Sequence, residues 1–201
     1  MSMSSVTAAL FAVLALIYPL TSQAATLQID DTTGQLLGAK GVDVGGVLYD
    51  VDFLEGSCTA LFNGCDASED FTFSTEATAL AAASALQAQV FLDGPGGMFD
   101  SIPALTNGCE DETICSIYTP YALSEIAVQA DVAISLNFAG SGGFTFANDF
   151  LRNEDTTLSP AIVFASWDIS QATVVPLPAT GWLFLSGLVG LFLARRRANA
   201  V

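Results

Sequence analysis

Three short acidic runs are the residues best suited to chemistry: Asp50-x-Asp52, Asp66-Ala67-Ser68-Glu69-Asp70 and Glu110-Asp111-Glu112. Carboxylate oxygens at this density suit a hard cation such as calcium. None of the runs, however, has the twelve-residue loop spacing with Gly at the sixth position and a terminal Glu. A solvated acidic face is the plainer reading of each. A glycosidase needs only two carboxylates at a set separation, and among 21 Asp and Glu the sequence selects no pair. Nucleophilic chemistry is narrower still. The chain has no His, which removes Ser-His-Asp and Cys-His mechanisms and any His-ligated zinc. A Ser-Lys dyad would have to use Lys40, which falls near an expected turn and reads as a solvent-facing side chain. The residues therefore point to a non-enzymatic protein with no cofactor, calcium being the single ligand that the clusters suggest.

The elements that would position these runs lie in the middle of a chain of 201 residues, 52% hydrophobic and 13% charged. That is one domain plus accessory segments, and too apolar for a disordered acidic tail. Residues 25–175 hold all 21 acids but only Lys40 and Arg152 of the five bases, a net charge of −19. A surface of this sign offers nucleic acid no footprint and favours cationic or cation-bridged partners. All four cysteines also fall here. Four cysteines allow three pairings. The short spacings favour Cys58–Cys65 and Cys109–Cys115, each worth roughly 2–3 kcal/mol by loop closure.

Val42 and Val44 lead into Gly45-Gly46, a two-residue hairpin turn, after which Val47, Tyr49, Val51 and Phe53 alternate with Asp50 and Asp52. Phe71-Thr72-Phe73 reads as a short strand. Ser74 or Thr75 caps a helix over residues 76–91, with Ala79, Leu80, Ala83, Leu86 and Val90 as its apolar stripe. A long alternation starts at Ile126 and reaches Phe138, Gly140-Ser141-Gly142-Gly143 turns it toward Phe144-Thr145-Phe146, and Val163, Ala165, Trp167 and Ile169 mark a last strand. Hairpin-linked strands with one central helix predict an α+β domain, an antiparallel sheet with that helix packed on a face. An all-β sandwich is the alternative if the Ala-rich segment is not helical.

The two ends read as addresses. Residues 1–24 carry an apolar run from Val6 to Leu20 and small residues before a cut between Ala24 and Ala25, the pattern of an export signal peptide. About 15 apolar residues make roughly 22 Å of helix, short of the ~30 Å hydrocarbon core. Residues 176–201 begin with Pro176-Leu177-Pro178-Ala179-Thr180-Gly181, continue with an uncharged stretch to Ala194, and end near Arg195-Arg196-Arg197. The prolines break structure ahead of a transmembrane helix, and the arginines stop transfer and stay cytoplasmic.

This tripartite order, over Val174 to Arg197, resembles a PEP-CTERM sorting domain, with Val-Pro-Leu-Pro-Ala as a variant motif in which Leu177 replaces the eponymous Glu. The resemblance implies export through the translocon, transient anchoring and cleavage by an exosortase-type membrane peptidase. It also implies a final place at the cell surface or in an exopolysaccharide-rich biofilm matrix, in a structural or adhesive role. Leu177-Pro178-Ala179-Thr180-Gly181 also matches the LPxTG signal of sortase-anchored surface proteins. A calcium-dependent carbohydrate-binding module is the competing function for residues 25–175.

Overall fold

The Gly45-Gly46 turn forms as its sequence requires, both residues at positive φ (63° and 91°), and joins strands β2 (Leu36–Val44) and β3 (Val47–Leu54). The structure, a computed structural model, describes residues 24–170. Before this hairpin lies β1 (Thr26–Ile29), and after it come a one-turn helix α1 (Cys58–Leu61) and the long helix α2 (Glu76–Gln89). A small hairpin, β4 (Asp93–Gly94) and β5 (Gly97–Met98), leads to β6 (Ile114–Leu123), β7 (Gln129–Phe138), β8 (Phe144–Leu151) and β9 (Ile162–Ile169).

Seven of these strands form one sheet in the order β1-β2-β3-β9-β6-β7-β8. Its core is therefore built from two hairpin ladders zipped together by the last strand. β9 runs antiparallel to β3 but parallel to β6, with Ile117 opposite Val163. The expected antiparallel sheet is thus a mixed one. The cause is topological: β9 returns into the gap between β3 and β6, and its direction can suit only one neighbour. The sheet-rich α+β class holds, with α2 as its one long helix.

Two strands carry residues that ordinarily argue against them. Gly41, at φ 70°, occupies the bulge where the β2–β3 register shifts, and its N–H is taken by Asp50 Oδ1 at 3.0 Å. Pro120 sits at the register shift of β6 against β7. A bulge is where an interior strand tolerates a residue with no N–H.

Thr75, not Ser74, caps α2, accepting from the Thr78 N–H. The helix buries Ala79, Ala82, Ala83 and Leu86 against one face of the sheet. Small side chains let it approach closely, and the face it covers is the small and polar one of β7. Ala133, Ser135 and Asn137 are fully buried there. Gln87 Nε2 donates to Ser135 Oγ (2.7 Å) and to Leu136 O (2.9 Å), and Trp167 Nε1 donates to Thr119 Oγ1 (3.1 Å). Buried polar groups survive because they are paired in this way.

The Val132, Ile134 and Leu136 face of β7 is covered instead by aromatic rings. Phe62 meets Phe164 at 5.6 Å, Phe150 meets Phe164 at 5.3 Å and Tyr118 meets Phe150 at 5.1 Å, all edge to face. Such pairs add about 0.5–1.5 kcal/mol each beyond burial. The cover is the segment from Cys58 to Phe71. Phe71-Thr72-Phe73 is not a strand: Phe71 belongs to this second core and Phe73 to the first, so the tripeptide carries the chain between covers. The alternation there marks a crossing. β7 likewise starts at Gln129, leaving Ile126 and Val128 more than half exposed ahead of it.

Phe164 stands at the centre of the ring cluster and is fully buried, whereas Phe144 is 54% exposed. Phe164→Ala is expected to cost about 3–5 kcal/mol. Phe144→Ala should cost less, about 1–2 kcal/mol, since roughly half of its surface stays in water. Urea denaturation of the two variants beside the parent checks the difference.

Candidate functional site

Both local cysteine pairs are at bonding distance, Cys58–Cys65 with Cα atoms 5.6 Å apart and Cys109–Cys115 with 5.8 Å. The first closes a loop that α1 enters through Ser57, whose hydroxyl accepts from the Ala60 N–H. Asn63 and Cys65 both adopt positive φ (45° and 53°). Left-handed backbone at such residues costs of order 1 kcal/mol or more and persists only where the surroundings impose it. Here the imposition comes from two sides. The disulfide is one, and Arg152 is the other: its guanidinium donates to Cys65 O at 2.8 Å and to Ala127 O. One of the two bases in residues 25–175 is thus spent on backbone carbonyls. No local motif marks this role of Arg152, whose partners lie 87 and 25 residues away. The other base, Lys40, lies in mid-strand opposite Thr26 and is exposed, so its solvent-facing reading stands while its place beside the turn does not.

One carboxylate in each acidic run has a structural role, and Asp52, Asp66, Glu69, Glu110 and Glu112 are exposed. Asp50 takes the bulge N–H of Gly41 and the hydroxyl of Ser170. Asp70 accepts from Asp66 N, Ala67 N and Asn63 Nδ2, each at 3.0 Å. The Ala67 N–H foremost, then Asn63, holds its carboxyl below the usual range. Asp111 accepts from Thr113 Oγ1, Thr113 N and Ile114 N, and the Thr113 hydroxyl leads in lowering its pKa. Asp30 and Asp93 do the same at the β1–β2 turn and the β4–β5 hairpin. These acids substitute for missing backbone partners. Their contribution to stability is present above the ordinary carboxylate pKa and is lost as the pH falls through their depressed values. Among the described residues, no three Asp, Glu or Cys side chains come together in a way that could hold a metal ion.

The structure does assemble one carboxyl pair that the runs did not suggest. Asp131 on β7 lies directly opposite Asp149 on β8. Strand register sets the two side chains side by side on the α2 face of the sheet. Partial burial first, and then Asp149, raises the Asp131 pKa. Burial first, then Asp131, Glu76 and Asp149, raises that of Tyr121 beneath them. The register is the only signal, and it becomes visible once Leu136 is placed opposite Phe144. What the two carboxyls can do is hold a proton or meet a cation.

Two grooves complete the surface. One, of about 250 Å³, is lined by Glu55, Glu110, Thr157 and Ser159 around Leu158. The other, about 350 Å³, lies between α2 and the Gly142-Gly143 turn and is lined by Gln87, Phe91 and Leu92. Of the acidic runs only Glu110 reaches a groove. Ala24 is exposed and Ala25 packs against the first core. The sorting residues Pro176 to Thr180 and the stop-transfer residues Arg195 to Arg197 lie outside the described residues.

A raised carboxyl pKa means the folded state binds its proton more tightly than the unfolded chain. That stabilisation is complete below the ordinary Asp value of 3.8 and fades as the pH rises through the folded-state value. Asp131→Asn supplies the hydrogen permanently. It is expected to raise the melting temperature at pH 7 and to flatten its decline from weakly acidic to neutral pH, which thermal melts across that range check. No family model matches this chain, and neither a curated protein nor a solved structure matches it.

Proposed function

We propose that this chain is an exported protein with a structural or adhesive role at the cell surface or in an exopolysaccharide-rich matrix. Its C-terminal segment would be a sorting signal for an exosortase-type membrane peptidase. The observation that carries the reading is the pairing of all four cysteines at disulfide distance inside residues 25–175, between the export-type segment and the Pro176–Arg197 motif. Disulfides form and persist in oxidising compartments. A domain of net charge −19 also stays dispersed and resists anionic surfaces.

In this reading the apolar helix holds the chain in the membrane with Arg195, Arg196 and Arg197 on the cytoplasmic side. The last described strand ends at Ile169, a few residues before Pro176, so the domain leaves the membrane only when the motif is cut.

The test is the mass of the C-terminal peptide of the mature protein, recovered from medium and from membranes. A terminus between Pro176 and Ala179, dependent on an exosortase, is the expected result. A terminus at Thr180 joined to an amine would assign the motif to a sortase. An intact triple-Arg tail found only in membranes would overturn processing altogether.

A further inference from the structure

β8 ends the seven-stranded sheet, and among the described residues no strand pairs with its outer side. It is eight residues long and pairs with β7 without a register shift from Phe144 to Leu151. Edge strands in soluble proteins are usually blunted by Lys, Pro, a bulge or short length. β8 has none of these. The opposite edge, β1, has only four residues and a bulge.

The two faces of this edge differ in chemistry. Phe144, Phe146 and Phe150 point to the aromatic side, where Phe138, Phe144 and Phe146 form a row with centroids 5.8 and 5.7 Å apart. Thr145 and Asp149 point to the α2 side, where Thr145 bonds Ser84 and Asp149 meets Asp131, with Glu125 and Glu76 nearby. Among the described residues no base attends that carboxyl pair, since Arg152 is committed to carbonyls. A second copy of this domain would bring another −19 to the edge. Charge complementarity selects a basic partner instead.

We infer that the free edge of β8 takes up an extended segment of a basic partner protein as an eighth strand. The added strand sets Lys or Arg against Asp149 and Asp131 on one face and apolar side chains against Phe144 and Phe146 on the other. Backbone hydrogen bonds supply affinity and the two-residue alternation supplies selectivity. This inference does not depend on how the chain is sorted.

The probe is a capped peptide of β8's length with alternating Lys and Val, titrated into the full-length chain in neutral detergent at physiological salt. The control is the same peptide N-methylated at two adjacent central residues, which keeps the charge and side chains but removes a donor from either edge. The Lys-Val peptide is expected to bind at least about tenfold more tightly. It should also slow amide exchange in residues 144–151. Asp149→Lys, which gains Asp131 as an ion-pair partner and so keeps its fold, should abolish the preference. Equal binding of the two peptides, or unchanged exchange in β8, overturns the inference. So does a chain whose outward-pointing β8 amides, those not bonded to β7, are already protected without peptide, or one that forms dimers through this edge.

Discussion

Strands β7 and β9 bury side chains on both faces, so this half of the sheet cannot exist with one cover. On one side α2 is sufficient: fourteen residues, capped by Thr75 and lined with Ala, lying flat on Ala133 and Ser135. The other side is covered by a segment with little regular structure of its own, a four-residue helix, a tight loop and Phe71. Such a segment buries Phe62 and Phe71 at the cost of ordering its whole backbone. Two constraints fix it in place, the Cys58–Cys65 bond and the Arg152 guanidinium that holds Cys65 O. The ring cluster around Phe164, and with it the seating of β9 between β3 and β6, depends on that short cover.

The same economy governs the charges. With two bases among residues 25–175, the domain cannot pair its acids with cations, and it uses them as backbone caps. Asp30, Asp70, Asp93 and Asp111 each collect N–H groups at a turn, where a negative acceptor is worth more than a neutral one. The clusters that look like cation sites in the sequence are mostly turn-closing devices. Asp131 and Asp149 depart from this pattern. Strand pairing forces them together beside an open edge.

Local signals were legible where chemistry and geometry coincide within a few residues. The Gly45-Gly46 turn, a cap at Ser74 or Thr75, the Ala-rich helix and a preference for the local cysteine pairing are readable from spacing. The parallel seating of β9 against β6 is not, because it depends on which gap the last strand fills. β6 was obscured by Pro120, whose bulge appears only when β7 is laid beside it. The alternation at Phe71 and Phe73 misleads for a different reason: a period of two describes any chain whose residues face opposite sides, including one passing between two cores. Arg152 and the Asp131–Asp149 pair are long-range and leave no sequence motif. The sorting motif is the opposite case, a strong local pattern whose residues lie outside the described structure.

The central claim is that the Cys58–Cys65 disulfide holds the cover of the second core. It is tested most directly by equilibrium urea denaturation of the Cys58→Ser/Cys65→Ser double variant beside the oxidised parent. Closure of so short a loop accounts for roughly 2–3 kcal/mol. The variant should therefore unfold at a clearly lower urea concentration, by at least that amount. An unchanged midpoint would contradict the account, because the aromatic cover would then be held in place without the bond.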